Sequence, residues 1–216
     1  MFRKAVEWGM TSNNPAKDVK KFKENNVNMR ILSNDEFQKL YNCSTDSLKA
    51  FLLIAVNTGM RPNEIFKLKW KHVDLKQRYI NITDSKNGDS RIIPINDVLY
   101  DCLNGLKKAN EHVLTHIDGN PVKSNKVAFS SALSKSGIEH CRVYDLRHTF
   151  ASNLVMSGVD IVTVKELMGH KDINMTMRYS HPTPEHKKHA VNRLNFNNFD
   201  STEIQSEAVE KLVIHK

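Results

Sequence analysis

Four segments of the sequence place basic side chains beside residues that can take part in phosphoryl transfer. The segments span residues 57–65, 83–88, 144–151 and 167–179, and their reactive side chains include Arg61, Lys86, Arg147, His170 and Tyr179. Two guanidinium groups can hold the non-bridging oxygens of one phosphate and stabilise the extra charge of a pentacoordinate transition state without a metal. The segments contain no carboxylate pair, no zinc-ligand spacing and no serine or cysteine nucleophile motif. Phosphoryl transfer on a nucleic acid is therefore the chemistry that they favour.

A tyrosine and a lysine supply the two further groups that such a reaction requires. The Tyr179 hydroxyl can attack phosphorus and hold it covalently, which keeps the phosphodiester energy for religation. Lys86 can protonate the departing oxygen. Two of the side chains have a structural alternative, because Lys86 can be a solvated turn residue and His170 can be a helix cap. Tyr179 lies between polar Arg178 and Ser180, a context that favours reaction over core packing.

The apolar pattern puts the first arginine on a turn between two helices. Ser33 and Glu36 form a capping box that begins one helix, and an apolar helix over 48–56 follows it. Pro62 fits the first turn of the next helix. Residues 61–68 are therefore predicted as a turn that opens into a short helix.

After this turn the period of the pattern changes from that of a helix to that of a strand. Residues 79–82 and 92–95 read as two strands, and Asn87-Gly88 between them is a strong hairpin signal that places Lys86 at the hairpin tip. Helical patterns return over 98–106, 127–133, 146–154, 161–168 and 185–191. The predicted fold class is therefore α+β and mainly α, with a small antiparallel β-sheet.

Taken in order, the four segments resemble the motifs of the tyrosine recombinases, also called the phage integrase family. The resemblance covers about residues 30–193 and rests on Thr58-Gly59-Met60-Arg61-x-x-Glu64 with Leu68-x-Trp70, Lys86 ahead of Arg91-Ile92-Ile93-Pro94-Ile95, Leu146-Arg147-His148-Thr149-Phe150-Ala151, and Gly169-His170 with Tyr179 nine residues later. One such motif alone is weak evidence, whereas all four in this order are specific. The resemblance implies the helical catalytic domain of that family.

The resemblance also implies a role for each matching residue. These roles are scissile-phosphate binding for Arg61 and Arg147, support of an arginine for Glu64, general acid for Lys86, a hydrogen bond to the phosphate for His170 and nucleophile for Tyr179. The implied activity is site-specific recombination of double-stranded DNA through a 3′-phosphotyrosyl intermediate, in a tetrameric assembly and with no cofactor. Two alternatives stay open: relaxation of DNA in the manner of a type IB topoisomerase, and DNA binding without catalysis by an integrase remnant.

Two features depart from the family pattern. Tyr144 stands three residues before Arg147, where the family usually has a histidine. A phenol can donate a hydrogen bond but is a poor proton acceptor near neutral pH, since its reference pKa is about 10. Tyr144 is thus either a substitute for that histidine in the catalytic set or a packing residue. Residues 1–29 are expected to be the end of a core-binding domain, so the chain is either a fragment or a naturally short protein.

The composition is that of a basic protein with an ordinary globular core. The 216 residues are 39% hydrophobic and carry a formal net charge of +8, which favours a polyanionic partner such as nucleic acid. The longest apolar run, 50–56, is far shorter than the ~20 residues that a membrane span needs, so no membrane association and a cytoplasmic location are predicted. Cys43, Cys102 and Cys141 form no CxxC pair, which predicts reduced thiols.

The remaining predictions concern metal binding and the C-terminus. His186-x-x-His189 lacks a matched second pair of ligands, so no metal site is expected. The catalytic domain is predicted to cover residues 30–193, and residues 194–216 form a tail with an apolar stripe of Ile204, Ala208, Leu212 and Val213. A stripe this short is not a stable helix by itself and must dock. The family resemblance implies docking on a neighbouring protomer, with docking on its own domain as the alternative.

Overall fold

A computed structural model describes residues 1–17, 19–20, 29–83 and 90–180, together with residues 188, 191 and 192, which are helical. The hairpin tip with Lys86, most of the predicted helix over 185–191 and the whole tail lie outside the described residues. The first helix, α1 (Phe2–Glu7), has exposed or half-buried side chains, so it adds little to the core.

Local capping sets the helices that precede the sheet. Helix α2 (Asn34–Asn42) begins at Ser33, whose hydroxyl accepts a hydrogen bond from the Glu36 backbone at 3.2 Å, while the Glu36 carboxylate accepts one from the Ser33 backbone at 2.9 Å. This reciprocal pair is the predicted capping box. Helix α4 (Pro62–Phe66) begins with proline, which needs no hydrogen-bond acceptor in the first turn.

Helix α3 (Asp46–Thr58) lies between these two helices and is buried along most of its length. It ends at Gly59, whose φ of 61° is in the left-handed region. A Cβ at this position would lie 2.3 Å from a ring carbon of Phe150. The backbone conformation and the close approach of the ring both require glycine here.

In the described part of the chain, the sheet has three antiparallel strands in the order β1 (Val73–Asp74), β2 (Tyr79–Ile82) and β3 (Arg91–Pro94). A 3-10 turn over Trp70–His72 leads into β1. In the pairing of β2 with β3, Ile80 lies opposite Ile93, and both side chains are buried. Strand β1 was not predicted, because two residues show no alternation.

Between the sheet and residue 180, the described residues form α5 (Asp97–Gly105), α6 (Lys126–Ser136), α7 (Asp145–Met156), α8 (Ile161–Met168) and α9 (Asn174–Met177). Helix α9 was not predicted, because a single turn is too short to show an apolar period. Within the described residues, the helices are too short or too polar to cross a bilayer. The predicted fold class, mainly helical with a small antiparallel sheet, is confirmed.

The core has two parts, and α7 connects them. The larger part combines apolar side chains of α2, α3, the sheet, α5 and α6, and the smaller one consists of Phe150, Ala151, Val164, Met168 and Tyr179. Helix α7 packs against both α3 and α8 and is buried continuously over residues 145–152. Thr149 on this helix accepts a hydrogen bond from the Leu32 backbone at 3.0 Å, which ties the segment before α2 to α7. Cys43, Cys102 and Cys141 are free thiols.

Candidate active site

Arg147 lies in the first turn of α7 and is almost entirely buried, with 1% of its surface exposed. Its guanidinium donates hydrogen bonds to the Gly59 carbonyl, which follows α3, and to the Met168 carbonyl at the end of α8, the latter at 2.6 Å. Carbonyls at helix C-termini lack a partner within the helix and carry partial negative charge, so they can hold a buried cation. Burial, and then the charge of nearby Arg61, lower the pKa of Arg147 to about 10, which leaves it protonated at neutral pH.

Glu64 joins Arg61 to a second arginine, Arg91. The Glu64 carboxylate accepts from Arg61 Nη1 at 3.0 Å, from the Arg61 backbone at 2.8 Å and from Arg91 Nη2 at 2.7 Å. Arg61 also donates to the Gly169 carbonyl at 3.2 Å. Arg91 donates to the Leu167 carbonyl at 3.0 Å. The network therefore fixes both arginines against the C-terminal end of α8.

The ionisation of Glu64 follows from the same contacts. Burial raises the pKa of Glu64, but the hydrogen bond and the charge of Arg91, and then the hydrogen bonds of Arg61, lower it to about 2. Glu64 is thus a carboxylate at any pH at which the protein is expected to work. Its negative charge offsets part of the charge of the two arginines.

His170 follows the glycine that ends α8. Gly169 has a φ of 61°, and the imidazole behind it is buried, with Nδ1 2.8 Å from Oγ1 of Thr176. Burial, followed by the charges of Arg147 and Arg61, lowers the pKa of His170 to about 4. The ring is therefore neutral at pH 7, and a neutral imidazole keeps one N–H donor.

The ring of Tyr179 packs in the smaller part of the core, contrary to what its polar neighbours in sequence suggest. Tyr179 follows α9 and is 7% exposed. Its hydroxyl lies 2.7 Å from Nδ1 of His148 on α7. Burial raises the pKa of Tyr179, although the charges of Arg147 and Arg178 oppose the effect. The phenol is therefore protonated at neutral pH and hydrogen-bonded to a histidine.

Tyr144 lies at the edge of the site. It precedes α7 and is 44% exposed, and it lines a groove of about 850 Å³ together with Arg61. Its ring makes an edge contact with the ring of His148, with 5.4 Å between the ring centroids. The ring of His148 thus contacts both Tyr144 and Tyr179.

Lys86 falls within residues 84–89, which lie outside the described part of the chain. The described residues on either side, Thr83 and Ser90, line a second groove, of about 940 Å³, together with His170. The role of Lys86 stays a prediction.

The family of the chain follows from its similarity to known proteins. The model of the phage integrase family matches residues 30–186. The chain belongs to the phage integrase family. It is 33% identical over 192 residues to the integrase of Escherichia phage 186, which covers 86% of this chain and 53% of that protein. It is 31% identical over 199 residues to the integrase of Salmonella phage P22, with 83% and 50% covered. The chain spans about half the length of the curated integrases that it matches.

Solved structures of integrases have the same fold. The catalytic domain of bacteriophage HP1 integrase has a TM-score of 0.64 at 29% identity, covering 79% of this chain and 98% of that one. A λ integrase dimer bound to a COC′ core site has a TM-score of 0.65 at 26% identity, with 81% and 69% covered. The Tn1549 transposon integrase, in complex with a circular intermediate DNA, has a TM-score of 0.70 at 19% identity, with 90% and 75% covered. The predicted resemblance to the integrase family is confirmed.

Two residues of the candidate site, Arg91 and His148, have no role in the sequence-based prediction. Arg91 reaches Glu64, 27 residues earlier in the chain, and His148 meets Tyr179, 31 residues later. One signal exists for Arg91: it stands two residues before the buried Ile93, so strand alternation puts its charge on the core side of β3. No local pattern gives the partner of His148.

The described residues offer no metal site. In that part of the chain, no three side chains of His, Cys, Asp or Glu lie close enough to hold an ion. The pair His186 and His189 lies outside the described residues.

Proposed function

We propose that this chain is the catalytic domain of a site-specific DNA recombinase, which cuts and rejoins double-stranded DNA through a 3′-phosphotyrosyl intermediate. The observation that carries the proposal is the convergence of residues from four distant motifs on the C-terminal ends of α3 and α8. Arg147 donates to carbonyls at both ends, and Arg61 and Arg91 donate to carbonyls at the end of α8. His170 follows that same end.

The two arginines suit a phosphate ligand. A guanidinium has five N–H donors in a planar fork, and the two carbonyls engage only part of the fork of Arg147. The side chain of Arg61 is 32% exposed and borders the groove. Positive charge that is held in advance by the protein stabilises the charge that develops on the oxygens of a phosphate in the transition state.

The proposed reaction assigns one step to each group. The Tyr179 oxygen attacks phosphorus, and the bond to the 5′-oxygen breaks. Lys86 protonates the departing 5′-oxygen, and His170 donates a hydrogen bond to the phosphate. The resulting phosphotyrosyl bond keeps the energy for rejoining, so the reaction uses no cofactor.

The surface beside Arg61 suits the DNA backbone. The groove of about 850 Å³ is lined by the basic side chains Lys67, Lys69, Lys71, His72 and His112. Such a surface binds phosphates without regard to sequence. The λ and Tn1549 integrases cited above have DNA bound in their solved structures, which supports double-stranded DNA as the partner here. A cytoplasmic location is part of this proposal.

The wider organisation is part of the same proposal. We place the catalytic domain at residues 30–193, assign residues 1–29 to the end of a core-binding domain and assign residues 194–216 to a docking tail. The family resemblance implies a tetrameric assembly, and we propose a tetramer on DNA. One of the related structures contains an integrase dimer on a core site, which supports self-association on DNA.

Trapping the covalent intermediate tests the proposal. The full chain is incubated with a pool of nicked duplexes whose sequence around the nick is randomised, and adducts that survive detergent are recovered and sequenced. The short fragment between the cleaved bond and the nick leaves with its 5′-hydroxyl and diffuses away, so the phosphotyrosyl adduct accumulates. We expect adducts with the natural protein and none with Tyr179→Phe, which loses one hydroxyl and no charge. Tyr41→Phe on α2 makes the same chemical change away from the site and should leave the adduct yield unchanged.

The recovered sequences supply a DNA site for a second experiment, which distinguishes the proposed recombinase from its alternatives. Intact duplexes carrying the selected site are incubated with the protein, and joining of two different duplexes identifies a recombinase. Relaxation of a supercoiled circle without joined products would identify topoisomerase-like activity instead. Binding with no adduct would identify a DNA-binding remnant. An adduct formed by Tyr179→Phe would overturn the assignment of the nucleophile.

A further inference from the structure

The Tyr179 hydroxyl and the His148 ring form a buried pair in the site. Nδ1 of His148 lies 2.7 Å from the hydroxyl oxygen, and the two residues are 8% and 7% exposed. This separation is within the range in which a general base accepts a proton directly. The motifs assign no role to His148, although it follows Arg147 immediately in α7.

The surroundings of the pair decide which atom carries the proton. The charged and titratable groups that act on His148 or contact its ring are Arg142, Tyr144, Asp145, Arg147, Arg178 and Tyr179. Burial lowers the pKa of His148; Asp145 raises it, and the three arginines lower it further. Burial raises the pKa of Tyr179. At neutral pH both groups are therefore uncharged, and we assign the phenol as the donor and Nδ1 as the acceptor, which places the imidazole proton on Nε2.

Tyr144 does not offer an equivalent acceptor. Its phenol stands where the family usually has a histidine, and a phenol accepts a proton poorly near neutral pH. Its ring contacts the edge of the His148 ring at 5.4 Å between centroids. Of the side chains in this contact, His148 is the one with a basic lone pair directed at the Tyr179 hydroxyl.

We propose that His148 is the general base for attack by Tyr179, an inference that rests on the proposed function. As the Tyr179 oxygen bonds to phosphorus, its proton passes to Nδ1 of His148, and the bond from phosphorus to the 5′-oxygen breaks. The 5′-oxygen takes a proton from the general acid, assigned to Lys86, and leaves as a hydroxyl. In rejoining, the 5′-hydroxyl returns its proton to Lys86 and His148 returns its proton to Tyr179.

The variant His148→Asn separates proton transfer from positioning. The asparagine amide has a polar atom close to the place of Nδ1, so it can hold the Tyr179 hydroxyl but cannot take its proton. Single-turnover cleavage is measured from pH 5 to pH 9 on a nicked duplex selected by the natural protein. We expect His148→Asn to cleave about 10²-fold more slowly or worse. Its rate should still rise with pH through the neutral range, where the rate of the natural protein is level. His140→Asn, at an exposed position, is the matched control.

A sulfur substitution at the leaving group distinguishes the base from the acid. In a duplex with a bridging 5′-phosphorothiolate, the departing thiolate needs no proton. This substrate should restore cleavage to Lys86→Ala and should leave His148→Asn slow. Restoration of both variants would overturn the assignment of His148.

The outcomes also distinguish failure of the base assignment from failure of the proposed function on which it rests. If the natural protein forms no adduct, the proposed function fails. If it forms adducts and His148→Asn matches it in rate and pH profile, the function stands and the base assignment fails. Thermal unfolding checks that the variant is folded. Should His148→Asn not fold, His148→Ala with added imidazole supplies the second measurement: faster cleavage with imidazole supports the inference, and no effect contradicts it.

Discussion

Replacing Glu64 by glutamine removes the carboxylate that Arg61 and Arg91 share. Glu64 is 11% exposed and Arg91 8%, so the substitution leaves a buried guanidinium without its counter-charge. Breaking a buried ion pair from one side costs about 3–5 kcal/mol. The pKa of Glu64 gives an independent magnitude: a shift from 4.5 to about 2 corresponds to about 3 kcal/mol of folding free energy. The two values agree, and we expect Glu64→Gln to lower the free energy of unfolding by about 3 kcal/mol at pH 7.

The pH dependence of unfolding tests the origin of this loss. Because the folded state holds the pKa of Glu64 below its unfolded value, the stabilisation is complete above about pH 4.5 and disappears as the pH falls towards 2. In urea unfolding between pH 7 and pH 2.5, the free energies of unfolding of the natural protein and Glu64→Gln should therefore converge as the pH falls. Glu111→Gln removes an exposed partner of Lys69 and should change little. Parallel curves for Glu64→Gln and the natural protein down to pH 2.5 would refute the reasoning.

Four further outcomes are expected. Arg147→Lys should cleave DNA at least about 10²-fold more slowly although its charge is kept, because an ammonium cannot donate to both helix ends and to a phosphate. The rate of adduct formation on the nicked pool measures this loss. A rate equal to that of the natural protein would mean that Arg147 has only a structural role. Gly59→Ala should lower the free energy of unfolding in urea by about 3 kcal/mol or more, because of strain at positive φ and the clash with Phe150. Gly119 is the control, since its φ is also positive but the nearest atom to a Cβ there is 3.8 Å away. Gly119→Ala should therefore show the effect of the strain alone. DNA affinity should fall steeply with salt in binding isotherms, and a flat response would contradict binding through phosphates. Deleting residues 202–216 should reduce the stoichiometry on DNA in light scattering and change cleavage; a lower melting temperature of the monomer would favour docking of the tail on its own domain.

Local signals in the sequence were enough to place several elements of the fold. Helix α8 has the bounds that its apolar pattern predicts, and Gly169 takes a left-handed conformation at its end. In the structure, Asp160 also accepts hydrogen bonds from the backbones of Val162 and Thr163 at its start. Both contributions come from residues within one turn of the helix end. The chemistry of the candidate residues could likewise be predicted, since it depends on side-chain type and on order along the chain.

Two kinds of structural feature could not be predicted from the sequence. Strand β1 and helix α9 are too short to show a period, and they exist because β2 and α8 pack beside them. The environment of Tyr179 was misjudged, because its neighbours in sequence are polar while its neighbours in space belong to the smaller part of the core. Burial of a side chain outside a long element depends on which helices close over it, and the adjacent residues carry little information about that.

The amino-acid sequence shows which groups are available and on which turns they lie, with a proline and a glycine around Arg61, a helix start at Arg147 and a glycine before His170. The contacts of these groups depend on the tertiary structure. Arg147 meets the Gly59 carbonyl 88 residues away in sequence, and Tyr179 meets His148 across 31 residues. Backbone preferences act over one or two turns, whereas these contacts depend on how α3, α7 and α8 pack. That packing brings two helix C-termini onto one buried cation and sets a phenol against an imidazole.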